Sequence, residues 1–246
     1  MKLKHLSLLF IVIFLFSCKK DDQAPDTTSN NSATKTIMPL EASRVEGDRP
    51  TFESFRYELW KDLIENDLNF DFIGTKKDGA TYASVNGNNF DVDHEGRGGW
   101  TSGQILTNIS NWVSQAGIPD IVLFSSPGGN DALQNLSYPQ AIININGIID
   151  SLQSANPNIT ILIERMAPGN SAIMTPQLTT YFNQMQQDVL TIATNQTTST
   201  SQVIAIDMFT GFTDAMLADP VHYNSSGADF IATRYYTELA KLLAKN

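Results

Sequence analysis

Asp219 and His222 stand three residues apart in the segment DPVHYNSSG. In a tight turn that spacing brings the carboxylate and the imidazole to one side. The carboxylate can then hold the ring's tautomer and stabilise its protonated form. An imidazole so held is a general base, and a serine hydroxyl is a weak nucleophile until such a base lies within hydrogen-bond reach. The segment IMPLEASRVEG supplies a hydroxyl, Ser43, at the tip of a polar turn behind an apolar lead. Serine is also an ordinary turn residue that bonds nearby backbone, so Ser43 alone decides nothing. Two further segments supply hydrogen-bond donors: GGND presents the side-chain amide of Asn130, and GRGGW presents backbone N–H groups beside glycines with no Cβ in the way. A nucleophile, a base, its orienting carboxylate and donors for a developing oxyanion are the parts that acyl transfer needs.

The chain has three histidines. His5 lies in the N-terminal leader, and His94 is flanked by Asp93 and Glu95, adjacent residues whose side chains diverge from it. His222 is therefore the expected base, although a histidine just before a helix start at Ser225 or Ser226 can also serve as a cap.

Elements that bring these parts together can be read from the periodicity. Short apolar runs at TIMPL, FDFIG, DIVLFSS, ITILIERM and QVIAIDM alternate with helical stretches. Phe55, Leu59 and Leu63 mark the first helix; Ile105, Leu106, Ile109, Trp112 and Val113 mark the second, with Gly117 as its stop. Ile142, Ile145, Ile149 and Leu152 mark a third. Thr175 and Pro176 open a fourth as N-cap and first-turn proline. GADFIATRYYTELAKLL is the last, and residues 76–99 read as a polar loop. This order predicts an α/β fold, a three-layer α/β/α sandwich around a mainly parallel five-stranded sheet. Such sheets bind ligands beyond the carboxyl ends of their strands. Ser43 follows the first run, residues 94–100 the second, GGND the third and DPVH the fifth, so all four fall on that rim. Turns placed at random would divide between the two rims.

Composition removes other readings. With 246 residues, 41% of them hydrophobic, the chain suits one sizeable domain. A formal net charge of -10 repels phosphate backbones, which argues against nucleic acid as a partner. One cysteine and three histidines leave no internal disulfide and no expected metal site, and no cofactor is expected. The sequence specifies no oligomeric state.

The N-terminus reads as an address. Basic MKLKH, apolar LSLLFIVIFLF and then SC make a secretory leader too short to span a membrane. LFSC resembles the lipobox of bacterial lipoproteins, which implies lipidation at Cys18 and a signal peptide over residues 1–18. KKDD after Cys18 resembles the surface-export signal of Bacteroidota lipoproteins. The expectation is an exported protein at the outer membrane or surface of a Gram-negative bacterium, held only by its lipid. Residues 19–36 are too polar to form a core and read as a disordered tether, with the folded domain over 37–246.

Taken together, IMPLEASRVEG, GRGGWT, GGND and DPVH resemble the serine, glycine, asparagine and histidine blocks of the SGNH (GDSL-type) hydrolase superfamily, across the whole domain. The resemblance implies a flavodoxin-like fold, Ser43 as nucleophile, His222 as base with Asp219 as its partner, and the Ser43 N–H, Gly99 and Asn130 as the oxyanion hole. FRYELWKDL, FDFIG and HEGRGGWT look most like the branch of carbohydrate acetyl esterases. One departure stands out: the family's glycine and aspartate before the serine are Glu41 and Ala42 here. The missing aspartate raises the question of how the serine turn is held, and Glu41 could charge the oxyanion site or face solvent. The resulting expectation is a serine esterase that removes short acyl groups, acetyl foremost, from a small-molecule or glycan ester. The alternatives are a lysophospholipase or general carboxylesterase, which needs a wide apolar groove, and a decayed glycan-binding lipoprotein. The 76–100 loop is instead rich in Gly, Asn, Asp and His, with Tyr82 and Trp100, a mixture that suits sugar hydroxyls and ring faces.

Overall fold

The computed structural model describes residues 34–244; Cys18, the leader and most of the tether lie outside them. Strand β1 (Lys35–Glu41) runs through the middle of the sheet. It begins two residues before the expected boundary at 37, because Lys35 and Thr36 pair with Phe70 and Asp71 of β2 (Phe70–Phe72). On its other side β1 pairs in parallel with β5 (Ile121–Phe124). β6 (Thr160–Arg165) and β7 (Gln202–Asp207) extend the sheet, all in parallel.

The five apolar runs thus become β1, β2, β5, β6 and β7. Among the described residues the sheet nevertheless has seven strands, not five. β4 (Asp93–Gly96) takes up the edge of β1 where β2 leaves it, pairing Glu95 and Gly96 with Leu40 and Glu41. β3 (Lys76–Lys77) pairs antiparallel with β4. Both lie in the segment read as loop. Their sequences, KK and DHEG, carry no apolar alternation; the free edge of β1 makes β4 a strand, and β4 in turn makes β3 one, rather than their own hydrophobicity.

Side chains alternate between two cores, as the period of two requires. Met38, Leu40, Val122, Phe124, Ile161 and Ile163 pack under α3 (Ser102–Ala116), α5 (Tyr138–Ala155) and α6 (Pro176–Gln196). Ile37, Ile121, Leu123, Leu162 and Ile206 pack under α2 (Arg56–Glu65) and α7 (Ser225–Leu243). Caps fall where the sequence places them: the Thr175 hydroxyl accepts from the Leu178 N–H at 3.2 Å. Asn224, not His222, caps α7, its side chain accepting from the N–H groups of Ser226 and Gly227. That leaves the imidazole free for other work.

Candidate active site

The chain leaves β1 into a single helical turn, α1 (Ser43–Glu46), so Ser43 stands at the carboxyl end of the central strand. As the first helical residue, its N–H has no acceptor within the turn. Ser43 Oγ lies 2.8 Å from His222 Nε2, and His222 Nδ1 lies 2.6 Å from Asp219 Oδ2. The other carboxylate oxygen of Asp219 accepts from the backbone N–H groups of Val221 (2.8 Å) and His222 (2.7 Å). Partial burial alone would raise the Asp219 carboxyl. The hydrogen bonds from the His222 ring and these two N–H groups outweigh it and hold the pKa below the ordinary carboxylate value. An ionised Asp219 fixes the Nδ1–H tautomer and leaves the Nε2 lone pair for the Ser43 proton.

Phe52 covers the imidazole, its ring stacked 3.9 Å from that of His222 with the planes 13° apart. Periodicity carried no sign of this, since Phe52 sits in an irregular loop. A contact of that kind excludes water from one ring face.

His94 is a structural histidine. It is 1% exposed, and its Nδ1 accepts from the Gly96 N–H at 3.0 Å. Burial, with the Arg56 charge adding to it, pushes its pKa down to about 3, so the ring is neutral. The neighbouring Glu95 turns away to Thr75 and Arg97.

The donor side is clamped from both flanks. Asn130 lies in a short helix, α4 (Gly129–Leu133), rather than in the open turn that its glycines suggest. Its Nδ2 donates to the Trp100 carbonyl at 2.8 Å, which fixes the amide's sense and leaves its second hydrogen for a ligand. Gln134 Nε2 holds the Gly99 carbonyl at 3.0 Å, and Glu46 Oε2 holds the Gly98 N–H at 2.6 Å. Gly99 has φ +78° with open space around a Cβ position, so its backbone rather than crowding calls for glycine. Ser43, Gly98, Gly99, Asn130 and His222 all line one polar cleft of about 720 Å³.

Arg44 answers the question raised by the missing aspartate. It is 8% exposed, and its guanidinium donates to the carbonyls of Val221 (2.8 Å), Ala167 (2.8 Å) and Pro168 (3.0 Å). It also lies over the Tyr223 ring at 4.7 Å. The serine turn is thereby tied to the histidine loop.

Glu41 does neither of the two things the sequence left open. It is 2% exposed, and burial, together with the charges of Asp131 and Glu164, raises its pKa well above the ordinary value; the Gly128 N–H opposes this weakly. The carboxyl is thus held toward its neutral form, away from solvent. Its φ of +128° lies where glycine is at ease and a side chain is strained, by about 1–3 kcal/mol.

Tyr82 and Trp100 do not line the cleft. Tyr82 donates to Asp78 at 2.7 Å and packs on Tyr57 and Phe90, and Trp100 packs on Trp112. The cleft wall is built instead by Asp48, Arg49, Phe52, Lys76, Lys77 and Asp78. Among the described residues no group of three or more His, Cys, Asp or Glu could hold a metal ion.

The mainly parallel sheet with helices on both faces is the fold of SGNH-type ester hydrolases. Residues 64–230 match the GDSL-like lipase/acylhydrolase family, and the chain belongs to that family. The matched span contains Gly99, Asn130, Asp219 and His222, and Ser43 precedes it. No curated protein sequence matches the chain. Among solved structures, it is similar to a carbohydrate esterase of family 3 from Talaromyces cellulolyticus, at 27% identity and TM-score 0.75, covering 87% of this chain and 100% of that one. It is similar to an acetyl esterase serine-to-alanine mutant with an acetate ion, at 27% identity and TM-score 0.74, over 86% and 99%. It is also similar to a family 3 carbohydrate esterase from Clostridium thermocellum, at 27% identity and TM-score 0.69, over 86% and 98%.

Proposed function

We propose that this carboxylic ester hydrolase removes short acyl groups, acetyl among them, from carbohydrate, with Ser43, His222 and Asp219 as its catalytic triad. Ser43 Oγ attacks the ester carbonyl carbon while its proton passes to His222 Nε2. The Ser43 N–H, the Gly99 N–H and Asn130 Nδ2 receive the negative charge on the carbonyl oxygen; one such donor is worth about 10²–10³ in rate. His222 then returns the proton to the alcohol oxygen as the old C–O bond breaks. Water attacks the acyl-serine through the same base and releases the acid.

The observation that carries this reading is the chain of 2.8 and 2.6 Å hydrogen bonds from Ser43 through His222 to Asp219, opening on a polar cleft. Both carboxylates and cations line that cleft, which suits an alcohol with many hydroxyls. Three neighbours at 27% identity, described as carbohydrate or acetyl esterases, favour the same substrate class. The decayed glycan-binding alternative rests on Glu41 and Ala42 alone, and an assembled triad speaks against it. The test is acid release from an acetylated glycan, with Ser43→Ala as control: Ser43-dependent release supports the reading, and none on any glycan or aryl ester refutes it.

The same proposal includes export and lipidation at Cys18, motivated by LFSC at the end of the apolar leader. Cys18→Ala should release the protein from the membrane fraction. Retention there with an unchanged N-terminus would contradict it.

A further inference from the structure

Ser43 stands where two recesses of different character meet. One is the polar cleft of about 720 Å³. The other is apolar, walled by Ala42, Leu133, Met166, Ile173, Met174 and Phe182, with room of about 40 Å³ for water-sized groups. Ser43 and Asn130 line both, whereas His222 lines only the cleft.

That asymmetry assigns the two halves of an ester. The proton on His222 must reach the departing alcohol oxygen, so the alcohol lies on the His222 side, in the cleft. The carbonyl carbon sits at Ser43 and its oxygen beside Asn130. The acyl chain is left with the remaining direction, into the apolar pocket.

The size of the pocket then sets the length of the chain. A cavity needs roughly 10–15 Å³ to admit a single water-sized group. A pocket of about 40 Å³ exceeds that threshold, so a methyl group alone does not fill it. Acetyl brings one carbon beyond the carbonyl and butyryl brings three. Acetyl alone would leave apolar wall without contacts.

Both ends of the pocket are built from identifiable residues. At the serine end stands Ala42, where the family's aspartate would put a carboxylate against apolar side chains. At the far end Gly169, Met174 and Phe182 also line a further, mainly apolar recess of about 280 Å³, so they form the partition between the two.

We propose that the acyl specificity of this enzyme is set by this pocket, that it favours unbranched acyl groups of up to four carbons over acetyl, and that Ala42 and Met174 fix the two limits. The proposal rests on the serine-esterase reading above and refines its substrate class.

The experiment is a series of 4-nitrophenyl esters from acetyl to octanoyl, which share one leaving group. Each buried methylene should raise kcat/KM about fourfold, so butyryl should exceed acetyl by about fifteenfold. Hexanoyl should fall below butyryl. Ala42→Asp should lower the butyryl-to-acetyl ratio at least tenfold, and Met174→Ala should move the optimum to hexanoyl or longer. A wild-type optimum at acetyl, or a rise continuing to octanoyl, overturns the proposal even if neither variant folds. To separate this from failure of the esterase reading, butyrate and acetate are titrated into folded Ser43→Ala protein by NMR. Tighter binding of butyrate supports the pocket assignment, and equal binding overturns it, whatever the catalytic result.

Discussion

Arg44 Nε donates to the carbonyl of Val221 at 2.8 Å, so the residue after Ser43 holds the residue before His222. The two halves of the proposed nucleophile–base pair come from opposite ends of the domain, 179 positions apart. A bond between their immediate neighbours sets the separation of the pair. Arg44→Ala should therefore lower kcat by about tenfold or more, since an angstrom of misplacement is costly to acyl transfer. It should also destabilise the fold by a few kcal/mol, because three carbonyls, one of them buried, lose a charged donor. Arg44→Lys should recover little, as a point charge cannot reach three carbonyls at once. Urea unfolding and steady-state kinetics check both. A variant with full stability and full activity would show the strap to be idle.

Ser43→Ala and His222→Ala should each reduce ester hydrolysis by about 10³-fold or more, and the double variant should be little worse than either, because the two act as one unit. Additive losses in kcat would assign them to separate tasks. Each variant should keep its unfolding midpoint within a few degrees, neither side chain being part of the apolar cores.

Asn130→Ala should lower kcat by about 10²–10³ with KM nearly unchanged, while Gly99 and Ser43 keep some activity. Asn130→Asp should be no better, because a carboxylate cannot donate to the Trp100 carbonyl that Asn130 holds at 2.8 Å. A raised KM at constant kcat would instead put Asn130 in ground-state binding.

Glu41 should make stability depend on pH. Its carboxyl, raised by burial and by Asp131 and Glu164, holds its proton more tightly folded than unfolded. The stability this contributes is complete below the ordinary glutamate range and is lost as pH rises through it toward the folded pKa. Glu41→Gln keeps the shape without the ionisation, so its advantage over wild type should grow from pH 5 to pH 8. Glu41→Gly removes the strain at φ +128° and should stabilise by about 1 kcal/mol after its own backbone entropy. Urea melts at the two pH values measure this. An advantage that shrinks with pH would mean an ionised Glu41 with a partner.

The sequence made the strands legible where they are buried on both faces, as in IVLF of β5 and ILI within β6, because an unbroken apolar run has few other uses. It made the rim legible because strand order alone fixes which turns share it. β3, β4, α1 and α4 were not legible: they are two to five residues long and are set by neighbours rather than by a period of their own. Phe52 gives no such signal for a related reason, since its partner is a ring face that only the tertiary structure brings near. Loop composition suits Tyr82 and Trp100 to sugar rings, yet neither lines the cleft and both pack on aromatic neighbours.

Labelling with a fluorophosphonate tests the central claim most directly, because the reagent captures an activated serine without any assumption about the natural ester. One label per chain is expected, mapped to the peptide that carries Ser43, with labelling slowed by at least about 10³-fold in His222→Ala. A chain that resists the reagent, or one labelled at another serine while Ser43 stays free, would contradict the claim.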